Sequence, residues 1–153
     1  MSIDGVTVST AVRADVPALC ALLGELFAQE AEFHPDASAQ SRGLRRIIDD
    51  PSVGTILLAR RGDAVLGMVN LLYTVSTALG ERVALLEDMV VTGAARGTGI
   101  GSVLLRAAIA HARGAGCKRI TLLTDGDNMA AQRFYARHGF EPSRMLALRL
   151  PLP

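Results

Sequence analysis

Leu85-Leu86-Glu87-Asp88-Met89-Val90-Val91 alternates like a strand and leads, through Thr92-Gly93-Ala94-Ala95, into Arg96-Gly97-Thr98-Gly99-Ile100-Gly101 and an apolar helical pattern that continues to residue 110. Glycines at 97, 99 and 101 let the backbone turn sharply and approach a ligand with no side chain in the way. A helix that starts here has four backbone N–H groups without internal partners and the positive end of its macrodipole, so a phosphate is a natural occupant. Arg96 adds a fixed cation. Ile100, Val103, Leu104, Ala107 and Ala108 recur at the spacing of one buried helix face, with Ser102, Arg106 and Arg113 on the other side.

Two familiar phosphate loops are excluded. A dinucleotide fingerprint would need a third glycine where Ser102 or Leu104 stands, and a nucleoside-triphosphate loop needs Gly-Lys-Ser/Thr, which the chain lacks. A solvated tight turn uses the same residue types, so the loop alone does not decide the ligand. Arg96, Gly99 and Gly101 fit Arg/Gln-x-x-Gly-x-Gly/Ala, and a second stretch, Asn128-Met129-Ala130-Ala131-Gln132-Arg133-Phe134-Tyr135 followed by Gly139-Phe140, fits Asn-x-x-Ala-x-x-Phe-Tyr. The pair, in this order, resembles the acyl-coenzyme A loop and the second signature of the GNAT acetyltransferase superfamily.

Composition sets the outer bounds. At 153 residues the chain is long enough for one domain with its own core, and the expectation is a single domain over 1–153. Half of the residues are hydrophobic but only 4% are aromatic, so the core is expected to be aliphatic. Sixteen basic residues against fifteen acidic ones leave a net charge of +1, which gives no electrostatic case for nucleic acid or an anionic membrane. No basic-then-apolar leader and no run near the ~20 apolar residues of a membrane span are seen, so a cytoplasmic location is expected. Cys20, on the buried face of a helix, and Cys117, before a strand, read as free thiols, and neither has a second ligand at metal spacing.

Taken in order, residues 6–12 read as a strand, and Asp15 as the cap of a helix to about residue 27 with Pro17 in its first turn. That helix buries Leu19, Leu22, Leu23 and Leu26. A polar loop with Glu30, Glu32, His34 and Asp36 precedes a second helix over 39–49, which carries Leu44, Ile47 and Ile48 toward the core and Arg42, Arg45 and Arg46 along one edge. Strands over 55–60 and 64–75 form a hairpin about Gly62-Asp63, and the central strand over 85–91 follows. Beyond the loop helix come a strand over 119–124, a helix capped by Asp127 or Asn128 and stopped at Gly139, and a last strand over 144–150. The order is that of an α+β sandwich around one mixed sheet. It is also the order of the GNAT fold, which the resemblance extends to a mostly antiparallel sheet of about six or seven strands flanked by about four helices.

The resemblance implies an N-acetyltransferase that moves an acetyl group from acetyl-CoA to a primary amine in a ternary complex. Such a reaction needs a neutral amine, a stabilised carbonyl oxygen and a proton for the departing thiolate. Glu87 shares a strand face with Leu85, Met89 and Val91, while Asp88 goes with Leu86 and Val90. Family position favours Glu87 as base, with Asp88 or a water left open, and matches Tyr135 to the general acid. The resemblance assigns the cofactor to main-chain groups of Met89, Val90 and Val91, to Arg96, Gly97, Thr98, Gly99, Ile100, Gly101 and Ser102, and to Asn128 and Tyr135. The implied donor is acetyl-CoA with no metal, and the partners are a small-molecule or peptide amine with neither nucleic acid nor membrane. A homodimer stays open. His111 and His138 lie near helix ends, where partial positive charge is favourable. An inert acyl-CoA sensor is the alternative, although it would need neither Glu87 nor Tyr135.

Overall fold

The computed structural model describes residues 3–30 and 32–153. By contact the chain divides after Leu123, and the two units are described separately.

The first unit is built on β1 (Val6–Thr10), β2 (Gly54–Arg61), β3 (Ala64–Ser76), β4 (Glu81–Val91) and β5 (Ile120–Leu122), which lie side by side in that order. β1 to β4 pair antiparallel and β5 pairs parallel to β4. The β2–β3 hairpin closes where Arg61 faces Ala64, with Gly62 at a φ of 58°.

Helices α1 (Val16–Phe27) and α2 (Ala37–Ile48) cover one sheet face. Their Val16, Leu19, Leu22, Leu23 and Leu44 join Ile56, Leu58, Met68 and Val90 in one buried cluster. Helix α3 (Ile100–Gly114) takes the other face, where His111 Nε2 lies 3.2 Å from Thr55 Oγ1. Gly67 lets α3 come this close: a Cβ there would stand 2.8 Å from Leu104 Cδ1 and 2.9 Å from the Val90 carbonyl oxygen. The buried stripe of α3 is Ile100, Leu104, Leu105, Ala108 and Ala112. It is therefore turned from the expected one, leaving Val103 and Ala107 half-buried, because the sheet surface rather than the helix period decides which flank is covered.

Asp15 does not cap α1. Its carboxylate instead accepts from the Val12 amide at 2.8 Å and from Arg60 Nη2 at 2.7 Å, so the buried charge is spent on holding β1's exit to β2. The cap of α2 is Asp36, which accepts from the Ala39 amide and starts that helix two residues before the expected point. Cys20 is only half-buried, because it faces α2, where Gln40 Nε2 reaches its sulfur at 3.4 Å.

The second unit holds α4 (Met129–Arg137), whose cap Asn128 accepts from the Ala131 amide at 3.1 Å. Gly139, at a φ of 94°, ends it. Residues 144–150 form no strand, so the described sheet has five strands rather than six or seven. Leu146, Leu148 and Leu150 repeat at strand spacing, but spacing supplies a face and not a hydrogen-bonding partner, and all three stay exposed.

Candidate active site

The glycine loop leaves β4 at Val91 and makes a short 3-10 turn over Gly93–Ala95 before α3 begins. Arg96 is exposed, and its Nε donates to the Val91 carbonyl at 3.2 Å, which pins the side chain to the end of β4. Its two Nη groups have no partner among the described residues. Gly97 and Gly99 hold φ values of 76° and 88°, in the region that favours glycine. Gly99 is the cap of α3 and no side chain caps that helix. A Cβ on Gly97 would meet nothing within 4 Å, so the loop is an open cradle. Ile100 is buried and anchors the first turn, where Gly101 and Ser102 are half-buried, while Thr98 Oγ1 donates to the Ala95 carbonyl at 2.5 Å and braces the loop. An uncapped first turn of amides at a positive dipole end, beside a cation, suits a pyrophosphate.

Immediately before the loop, β4 carries a bulge. Asn70 on β3 faces Glu87, but Met68 faces Val90, so β4 has one residue more than its partner between these points. Asp88 takes up the surplus at a φ of 53°. The bulge overturns the expected alternation. Val90 joins the α1–α2 cluster with Met68, and Asp88 reaches Asn70, the residue opposite Glu87. Both carboxylates therefore serve the α1–α2 side of the sheet instead of opposite faces. Met89 and Val91 are half-buried between bulge and loop.

Glu87 is exposed, whereas Asp88 is half-buried. Burial first, then the neighbouring Glu87 charge and more weakly Glu30, push the Asp88 carboxyl up to about 6, against a lowering by its hydrogen bond from Asn70. Asn70 Nδ2 lies 2.5 Å from Asp88 Oδ2. Asn70 itself is 2% exposed, and its Oδ1 has no hydrogen-bond partner among the described residues. Sequence reasoning did not single out Asn70, although an amide inside the apolar run Met68-Val69-Asn70-Leu71-Leu72 was a visible signal. It also missed Glu25 of α1, whose carboxylate accepts from Thr92 Oγ1 and the Gly93 amide, each at 3.3 Å, and so ties α1 to the loop's entrance.

In the second unit Asn128 is committed through its oxygen to capping α4. Tyr135 is half-buried in ring contacts with Phe134 at 5.2 Å and Phe140 at 5.7 Å. Burial pushes its hydroxyl up to about 12, so it keeps its proton at neutral pH. A groove of about 780 Å³ between α1 and α2, lined among others by Arg13, Cys20, Gln40 and Arg45, shares no residue with the loop or the bulge. Among the described residues no three His, Cys, Asp or Glu side chains gather as a metal site, and no helix is long and apolar enough to cross a membrane.

A family model described as "Acetyltransferase (GNAT) family" matches residues 18–140. The chain belongs to the GNAT acetyltransferase family. It is 34% identical to an uncharacterized N-acetyltransferase, YhfO, of Bacillus subtilis (strain 168) over 79% of this chain and 83% of the relative. It is 32% identical to the aminoalkylphosphonate N-acetyltransferase of Salmonella typhimurium (strain LT2) over 87% and 83%. The crystal structure of a possible acetyltransferase from Clostridium difficile 630 superposes with a TM-score of 0.87 over 98% of this chain and 99% of that one; at 13% identity it speaks for the fold. The family and the fold are thus those that the paired motifs imply, and acetyl-CoA is the donor typical of this family.

Proposed function

We propose that this chain, as one domain over 1–153, transfers the acetyl group of acetyl-CoA to a primary amine by direct attack. The observation that carries the reading is the glycine cradle at the uncapped start of α3, placed directly after a β4 bulge with two carboxylates. Arg96, Gly97, Thr98, Gly99, Ile100, Gly101 and Ser102 would hold the pyrophosphate, and backbone groups of Met89, Val90 and Val91 would pair with the pantetheine arm. Bound there, acetyl-CoA supplies an acetyl group on a thioester. Asn128 has a free role toward that arm through its amide NH2, because its oxygen serves the α4 cap.

The Glu87–Asp88 pair supplies the base and, through Glu87's exposed charge, an attraction for an ammonium group. Tyr135 supplies the acid: a hydroxyl held up to about 12 keeps its proton at neutral pH and can give it to sulfur as the C–S bond breaks. One proton leaves the ammonium before attack and a second leaves nitrogen as the amide forms, which restores the tyrosine. Glu30 adds negative charge near Asp88, consistent with a cationic acceptor. The similarity to an aminoalkylphosphonate N-acetyltransferase makes small amines that carry an acidic group the first acceptors to try. We place the activity in the cytoplasm, where the half-buried thiols of Cys20 and Cys117 would stay reduced.

Calorimetric titration with acetyl-CoA followed by thiol release against aminoalkylphosphonates, amino acids, polyamines and peptides tests this. Binding with release for one class supports the proposal. Binding with no release for any amine favours an acyl-CoA sensor, and no binding overturns the reading.

A further inference from the structure

A general base must be stable in two states, because it accepts a proton and gives it up in every turnover. A carboxyl in an apolar wall rarely meets this demand, since neighbours that suit the ion are wrong for the acid. Asp88 has an unusual neighbour in this respect. The Asn70 amide has a donor end and an acceptor end, it is 2% exposed, and one end is left without a partner among the described residues. The 2.5 Å separation from Asp88 Oδ2 is below the usual N–H···O range and falls at the short limit of O–H···O. With the amide in one sense, Nδ2 donates to the ionised carboxylate. With its oxygen and nitrogen exchanged, Oδ1 accepts from the neutral carboxyl.

We propose that Asn70 is a positioning residue for acetyl transfer, holding the Asp88 carboxyl at the β4 bulge in both its ionised and its neutral form so that Asp88 takes the acceptor's proton. The proposal rests on the acetyl-transfer reading and selects one member of the carboxylate pair. In the step, an N–H bond of the acceptor ammonium breaks, its electrons stay on nitrogen as the attacking lone pair, and the proton forms an O–H bond on Asp88, from which it passes to water. Around this carboxyl stand Glu87 from β4 and Glu30 from the segment after α1, both negative, and Asn70 from β3, which is neutral. The two carboxylates favour the proton on Asp88, and the amide donor opposes them.

Threonine and valine at position 70 separate this role from a structural one. They have nearly the same shape, so both leave the same gap, but only the threonine hydroxyl can both donate and accept. Asn70→Thr is expected to keep kcat/KM within about threefold, and Asn70→Val to lose about tenfold. In Asn70→Val the acidic limb of the pH profile should also move up by about one unit, because the donor that favours the ion is gone. Asp88→Asn keeps a residue type that tolerates positive φ, and it should erase that limb with a loss of about 100-fold or more. Glu87→Gln should keep the limb and move it down. Carbon-13 NMR of the aspartate carboxyls, assigned with Asp88→Asn, gives a readout independent of turnover: the Asp88 midpoint should rise in Asn70→Val and not in Asn70→Thr. Active Val and Thr variants with one and the same limb and midpoint would overturn the Asn70 proposal alone, as would an unchanged limb in Asp88→Asn. An unsubstituted chain that binds no acetyl-CoA would instead sink the acetyl-transfer reading on which the proposal stands.

Discussion

The glycine loop and the β4 bulge lie within a dozen residues of one another, and both depend on backbone with positive φ. They reach it differently. Gly97 and Gly99 take φ values of 76° and 88°, where a glycine meets no steric objection. Asp88 takes 53°, which is uncommon for a residue with a side chain and is tolerated best by asparagine and aspartate. The loop is thereby a shape, an open cradle whose backbone at Gly97 and Gly99 disfavours a side chain, most of all a β-branched one. The bulge adds a titratable group to a shape, because its positive φ brings a carboxyl to Asn70. On the proposed reading, ligand binding and proton transfer would sit on separate backbone devices, so substitutions should break one without the other.

The largest effect is expected from Gly99→Val. A β-branched residue resists a φ of 88°, and its Cβ would lie 3.3 Å from Ile3 Cδ1, so both the turn and the access to the first amides of α3 suffer. Acetyl-CoA binding should weaken by about 1000-fold, or ~4 kcal/mol, by calorimetry. The Asp88 resonance should stay where it is. Retained binding would end the claim that this loop is the cradle.

The bulge is tested next, through stability. Asp88 has its pKa raised in the folded protein to about 6 from an ordinary value near 3.8, so the unfolded chain ionises first as pH rises. Stability from this carboxyl is fully present below about pH 4, declines between 4 and 6, and stays low above the folded value. A shift of this size corresponds to about 3 kcal/mol. Asp88→Asn should therefore flatten that part of the stability curve, making the variant relatively more stable at pH 7.5 than at pH 4 when each is unfolded in urea and compared with the parent. An unaltered pH dependence would mean that the carboxyl is not buried as the bulge implies.

How much of this was legible follows from the same contrast. Glycines announce their conformations, so the sharp turn from Arg96 to Gly101 could be read from residue type and spacing, and the helix that follows Asp127 and Asn128 could be read because a cap leaves a residue-type signature, although the structure had to choose Asn128 between the two. The bulge left no such mark. Strict alternation from Leu85 to Val91 was the simplest account of the sequence, and only the slip in pairing against Met68 and Asn70 shows that Val90 turns with Glu87's side of the sheet. Asp15 misled for a related reason, since an acidic residue before Val16-Pro17 looks like a helix cap until Arg60, 45 positions away, is seen to hold it. The leucines of residues 144–150 carried a strand's spacing without a partner's hydrogen bonds. What could be read was local chemistry; what could not was the outcome of contacts between distant strands.

A further prediction separates chemistry from cradle in the second unit. Tyr135→Phe removes one hydroxyl and keeps the ring contacts with Phe134 and Phe140. Turnover should fall by about 100-fold while the acetyl-CoA affinity stays within about twofold. The basic limb of the kcat profile, governed by a hydroxyl pushed up to about 12, should lie above the accessible pH range in the parent. Unchanged turnover would exclude Tyr135 as the acid.

The smallest effect concerns the two helix starts that the family motifs share. Helix α3 begins at Gly99 with no side-chain cap, and α4 begins at Asn128, whose oxygen accepts from the Ala131 amide. If the first leaves its amides for phosphate and the second satisfies its own, Asn128 should matter to stability through its oxygen and to the pantetheine arm through its NH2. Asn128→Ala deletes both and should lower stability by about 1 kcal/mol in denaturant titration. Asn128→Asp keeps the accepting oxygen and adds a charge that a helix start favours, so stability should be maintained. Its affinity for acetyl-CoA should nevertheless fall about fivefold, because the donor is gone. Equal affinities for the parent and Asn128→Asp would leave Asn128 as a cap alone and Tyr135 as the second unit's remaining candidate for contact with the cofactor.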